Sequence, residues 1–199
     1  MPKDRSRNDE RSRIAHFAAR LIAEDGIEDY AAAKRKAARQ AGVPDTRQLP
    51  TNEEIDEALR THQALYGGDV HVARIRELRA AALEVMAELT RFNPYLTGSV
   101  LSGNAGKYAD INLHLYTEHG KDVELYLLNQ GIAYRSGERR LWCGETLQSV
   151  PAFTFDYEGV EVEVVVLKLD DLRKPVRTHA EGKAIERARP DAVRALLAA

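Results

Sequence analysis

Asp110 and Asn112 stand two residues apart in an alternating stretch, Ala109 to Tyr116. Ala109, Ile111, Leu113 and Leu115 fall on one side of it, and Asp110, Asn112, His114 and Tyr116 on the other. The pattern predicts a strand with one apolar face for a core and one polar face free to do chemistry. A second source of acids is Phe153 to Leu167, FTFDYEGVEVEVVVL, which reads as a hairpin turning at Glu158-Gly159. Its later half places Val160, Val162, Val164 and Val166 on one face and Glu161 and Glu163 on the other, with Val165 and Leu167 beyond them. Beside Ala109 to Tyr116, such a strand sets a glutamate roughly 5 Å across from Asp110. Carboxylates within about 6 Å are close enough to share a cation. Glu163 is preferred for this place over Glu161, with Asp156 as an outer candidate.

Upstream, Tyr95 and Leu96 lead into Gly98-Ser99, and a glycine-bearing turn, Ser102 to Gly106, delivers the chain to Asp110. An apolar strand ending in Gly-Ser, a short helical turn and a strand bearing Asp-x-Asp form the signature of the nucleotidyltransferase superfamily, the DNA polymerase β-like fold. Gly98, Ser99, Asp110 and Asn112 give this chain a clear resemblance to it over roughly Pro94 to Leu167. The resemblance implies that Gly98 and Ser99 hold nucleotide phosphates. It further implies that Asp110 and Glu163 are the catalytic carboxylates, binding magnesium or manganese with help from Asn112. The departure is Asn112 itself: its carbonyl oxygen suits a hard cation but brings no negative charge, so a second metal would be held more weakly. Arg135, Arg139 and Arg140 cluster nearby, and Arg135 and Arg140 are taken as phosphate contacts.

These residues need a frame. Ile14, Phe17, Leu21 and Ile22 recur at helical spacing up to Gly26, and a second helix runs from Glu28 to Gly42. After the proline-bearing linker Val43 to Pro50, Thr51 opens a third helix, with Ile55, Leu59, Leu65 and Tyr66 on its buried side, ended by Gly67-Gly68. A fourth carries the stripe Val72, Ile75, Leu78, Ala82, Leu83, Val85, Met86 and Leu89 toward Pro94. Lys121 to Gln130 reads as a helix, Ile132 to Arg135 and Arg140 to Cys143 as a hairpin joined at Ser136-Gly137, and Pro190 to Ala199 as a short final helix. His62 and His71 sit in helical patterns without a metal-ligand partner. The predicted class is α+β: a helical segment over 1–92, a nucleotidyltransferase-like mixed sheet over 93–170, and a tail with a helix over 171–199.

Composition narrows the function classes. The 199 residues are 44% apolar and 30% charged with a formal net charge of -2, which gives no global attraction to nucleic acid or membrane. One cysteine, Cys143, excludes an intramolecular disulfide and a cysteine-based metal cluster, and fits a reducing cytoplasm. No run of about 18 apolar residues predicts a membrane span. The leading expectation is transfer of a nucleotidyl group from a nucleoside triphosphate to a small molecule, protein or RNA. A catalytically impaired binding or interaction module of the same fold is the alternative. A third reading is an RNA-binding protein using Lys34, Arg35, Lys36 and Arg39 with the hairpin arginines.

Overall fold

A computed structural model describes residues 3–25, 27, 30–43, 49–63, 68–106 and 108–198. The chain divides into two compact units, one of residues 1–74 with 104–109, the other of 75–103 with 110–199. Residues 75–92 and the tail after 170 thus belong with the sheet. The sequence boundaries at 92 and 170 place the first with the helical segment and the second in a part of its own.

In the first unit, α1 (Lys3–Asp25), α2 (Tyr30–Gln40) and α3 (Asn52–His62) share one core. Ile14, Ala18, Ala19 and Leu21 of α1 pack with Ala33, Ala37 and Ala38 of α2 and with Ile55, Ala58 and Leu59 of α3. The alanines let the helices approach closely, so polar side chains reach across. Tyr30 donates to Asp56 at 2.5 Å, Arg11 pairs with Glu54 at 2.7 Å, and Lys34 donates to Asn52 at 2.6 Å. Thr51 caps α3 in a reciprocal capping box with Glu54. Gly26 and Gly67, expected to end helices, Glu28, expected to open α2, and Leu65 and Tyr66, expected on the buried side of α3, lie outside the described residues. Gln63 already caps the C-terminus of α3.

α4 (Gly68–Glu88) begins in the first unit and continues into the second, where Ile75, Leu78, Ala82, Val85 and Met86 are buried. Val72, counted in the stripe, is 52% exposed. The second unit is a mixed sheet with helices. β1 (Tyr95–Thr97), α5 (Gly98–Ser102), β2 (Ile111–Thr117), α6 (Lys121–Asn129), β3 (Tyr134–Cys143), β4 (Thr146–Tyr157) and β5 (Val160–Lys168) follow in order. β6 (Val176–Arg177), β7 (Arg187–Ala188) and α7 (Pro190–Ala198) complete it. The strand order is β6-β3-β4-β5-β2-β1-β7, with β2 and β5 parallel and the other neighbours antiparallel.

Alternation explains which face is which. Leu96, Ile111, Leu113, Leu115, Val162 and Val164 are fully buried on one face. The opposite face is apolar only at one end, where Tyr95, Tyr116, Leu141, Cys143, Val150, Val165, Leu167 and Val176 cluster with Leu172 and Ile185. The chain after β5 folds back over that end, and the Ile185 amide donates to the Val176 carbonyl at 2.7 Å, tying β6 to the approach of β7.

The hairpin expected at Ser136-Gly137 is not there. β3 runs unbroken through both residues, with Gly137 paired to Ala152, and the turn comes at Gly144-Glu145, where Gly144 has φ +63°. Pro151, within β4, is tolerated because the β4–β5 ladder stops at Ala152 and Val165, so no strand on that side needs its missing N–H. The expected turn at Glu158-Gly159 is present with φ of 52° and 81°, the two left-handed residues that a two-residue hairpin prefers. No described helix is long and apolar enough to cross a membrane.

Candidate active site

One register line crosses the face opposite the main core, running Arg135, Thr154, Glu163, Asn112, Thr97, Arg187. Paired residues share a face, so the side chains of this line stand side by side. Asn112 and Glu163 are direct partners across the parallel β2–β5 pair. Asp110 lies one residue before that ladder begins at Ile111 and Val162. Continuing the register puts Glu161, and not the preferred Glu163, across from Asp110; Glu163 lies on the diagonal because its direct partner is Asn112. Asp110, Asn112 and Glu163 are all half-buried; Asn112 and Glu163 are held in the sheet, and Asp110 just precedes β2.

The phosphate-binding candidates adjoin this line. Thr97 ends β1, and its hydroxyl donates to the Asn112 carbonyl at 3.1 Å. Gly98 follows with φ +72°, a conformation that favours glycine, and a Cβ there would lie 3.5 Å from Asn112 Nδ2. Ser99 is half-buried in the first turn of α5. Arg79 of α4, which sequence reasoning missed, holds this turn from behind: Nε donates to the Val100 carbonyl at 3.1 Å and Nη2 to that of Leu101 at 2.9 Å. Two carbonyls of the short helix thereby gain partners it cannot supply itself.

The glutamates of β5 are already paired. Arg135 meets Glu161 at 2.5 Å. Arg139 takes both oxygens of Glu163, with Nε 3.3 Å from Oε2 and Nη2 on Oε1. The more exposed Arg135–Glu161 pair contributes about 0–1 kcal/mol. Arg140, expected beside Arg135, alternates to the other face of β3; Arg139 shares the face of Arg135. Counting the alternation from Arg135 would have found Arg139, had the strand not been cut at Ser136-Gly137.

His114 shares the Asp110 face but lies deeper. It is 5% exposed, its Nδ1 has no protein hydrogen-bond partner, and burial, with the positive charge of Arg187 second, pushes its pKa down to about 4. The tail fixes the surroundings. Arg187 donates to the Tyr116 hydroxyl at 2.5 Å and to the Leu172 carbonyl at 2.6 Å, and Arg189 donates to the Tyr95 hydroxyl at 2.8 Å.

Asp110, Asn112 and Glu163 would offer only oxygen, a donor set suited to magnesium or manganese over softer metals. Asn112 Nδ2 is turned toward the Asp110 carbonyl at 3.4 Å, which leaves Oδ1 as the donor to a cation. Among the described residues no group of three or more His, Cys, Asp or Glu could hold a metal ion, so the expected set of Asp110, Asn112 and Glu163 brings two carboxylates and no converging third. Compared with known proteins, the chain matches no family model, no curated protein and no solved structure.

Proposed function

We propose that the sheet unit is a nucleotidyltransferase-like domain acting in the cytoplasm, binding a nucleoside triphosphate with one magnesium or manganese and passing its nucleotidyl group to an acceptor. The observation that carries this reading is the adjacency of three pieces in sheet order β1-β2-β5: the Gly98-Ser99 turn lies against Asn112, and Asn112 lies abreast of Glu163. Ser99 and the amides of its turn would hold the β- and γ-phosphates. Asp110, Asn112 and Glu163 would hold the metal, which would neutralise charge building on the phosphorus and on pyrophosphate. In the transfer, the acceptor hydroxyl oxygen bonds to the α-phosphorus as the bond to the bridging oxygen breaks. That electron pair leaves with pyrophosphate, and Asp110 takes the acceptor proton.

One observation favours the impaired variant of the same reading. Glu163 has both oxygens engaged by Arg139 and Asn112 is uncharged, so the face offers a cation little net attraction. The two versions separate in one experiment. Thermal unfolding with each nucleoside triphosphate and manganese should show a stabilising shift that is lost in Asp110→Asn, and a pyrophosphate-release assay decides whether transfer accompanies binding. Absence of a shift with all four nucleotides would sink both.

A further inference from the structure

We infer that Arg187 and Arg189, with the tyrosines they meet, form a receptor for a phosphate group on the margin where β7 joins β1. Such a receptor needs neither a metal nor nucleotidyl transfer, so it stands apart from the reading above. Register assembles its groups. Arg187 is the partner of Thr97 and Ala188 of Leu96, and one further step sets Arg189 abreast of Tyr95, whose own partner on β2 is His114. Arg187 and Arg189 thus share the face of Tyr95, His114 and Tyr116. Their guanidinium carbons lie 5.7 and 5.6 Å from the centroid of the Tyr95 ring, and that ring meets Tyr116 edge to face with centroids 5.4 Å apart.

The cluster is made of donors. Arg189 gives Nε to the Tyr95 hydroxyl, while Arg187 gives Nη1 to the Tyr116 hydroxyl and Nη2 to the Leu172 carbonyl. Most N–H groups of both guanidiniums stay unspent, and each tyrosine oxygen accepts, which keeps its O–H for another acceptor. His114, beside Tyr95, is 5% exposed, and its Nδ1 has no hydrogen-bond partner. Among the described residues no carboxylate answers this charge. Arg135, Arg139, Arg177 and Arg194 each pair with a glutamate or an aspartate, but Arg187 and Arg189 do not. Glu163, the one acid on the register line of Arg187, lies beyond Thr97 and Asn112 and is held by Arg139; Asp191, two residues past Arg189, is held by Arg194.

Two guanidiniums against one tyrosine ring repel each other, and an anion between them removes that repulsion. A carboxylate satisfies one guanidinium fork. A phosphate dianion has enough oxygens to accept from both and from a tyrosine hydroxyl as well. Arg187 is half-buried and Arg189 exposed, so the group can arrive from solvent. The ligand is therefore phosphate or a small phosphate monoester, held by charge and hydrogen bonds alone.

The test is calorimetry on the full chain with inorganic phosphate, glycerol 3-phosphate and acetate at equal ionic strength. Wild type is compared with Arg189→Gln, Arg187→Lys, Arg194→Gln and Ser99→Ala. Wild type should bind both phosphates at least about tenfold more tightly than acetate, Arg189→Gln and Arg187→Lys should each weaken them about tenfold, and Arg194→Gln should match wild type. Arg189→Gln removes a single side-chain hydrogen bond, so it carries the test should Arg187→Lys fail to fold. Tighter binding of glycerol 3-phosphate than of phosphate makes the occupant an ester, and equal binding makes it the free ion; either sustains the receptor. It is overturned if wild type binds no phosphate, if acetate binds as tightly, or if Arg189→Gln keeps wild-type affinity. Loss of phosphate binding in Ser99→Ala alone would put the ion at the turn after β1, overturning the receptor while the nucleotide site stands. Failure of every nucleoside triphosphate to bind would leave the receptor untouched.

Discussion

Arg187 lies with its guanidinium carbon 5.3 Å from the centroid of the Tyr116 ring while its Nη1 donates to that tyrosine's hydroxyl at 2.5 Å. A residue of the tail is thus fastened to the last part of β2 by both its charge and its donors, and it also stacks on Tyr95. Arg187→Ala should cost about 2 kcal/mol of unfolding free energy, measured by urea titration, because the Tyr116 hydroxyl and the Leu172 carbonyl lose their donor. A variant as stable as wild type would mean that the tail is held by its apolar contacts alone.

His114 gives a pH dependence whose sign is fixed by its environment. Its folded pKa, about 4, lies below the ordinary 6.5, so the unfolded chain binds the extra proton first. The stability that this depression represents is present above pH 6.5, falls as the pH drops toward 4, and totals about 3 kcal/mol. His114→Gln should therefore flatten the loss of stability between pH 6.5 and 4. Equal slopes in variant and wild type would assign the acid sensitivity to other groups.

Asn112 separates the charge argument from the geometric one. Asn112→Asp restores a second carboxylate beside Glu163 and should raise manganese affinity about tenfold, whereas Asp110→Asn should remove metal binding and transfer together. Calorimetry with manganese reads the first change and pyrophosphate release the second. An unaltered affinity in Asn112→Asp would show that this face does not meet the metal.

The turn after β1 can be probed from front and back. Ser99→Ala removes a hydroxyl and should weaken nucleotide binding about three- to tenfold without a change in melting temperature. Arg79→Met removes donors to Val100 and Leu101, so it should lower stability by about 1–2 kcal/mol and weaken the nucleotide as well. If Arg79→Met lowers stability but spares nucleotide affinity, the turn is not the phosphate site.

What the sequence made legible was whatever is written in local periodicity. Ile111, Leu113 and Leu115 alternate, and all are buried; Val162 and Val164 do the same, and the Glu158-Gly159 turn between β4 and β5 follows from residue type. Ser136-Gly137 misled because serine and glycine are common in turns, yet a ten-residue strand with a partner along its whole length carries a glycine without bending. The pairings of Arg139 with Glu163 and of Arg187 with Tyr116 span 24 and 71 residues. No local pattern records contacts of that range, so the engaged state of Glu163 and the cover over His114 had to come from the fold.

The hydrogen bond between Ile185 and Val176 has a consequence for the sheet's exposed margins. β6 and β7 are the outermost strands at opposite ends of the strand order, yet the intervening stretch is held together at 2.7 Å, so the two margins are drawn toward each other by a single segment. The outer row of amides and carbonyls on β3, which would otherwise invite pairing with a second molecule, is shortened at Trp142 and Cys143, and that of the short β1 is covered at Leu96 and Thr97. Protection against self-association and the burial of Tyr95 and Tyr116 are therefore a single event, and whatever peels this segment away exposes both margins together.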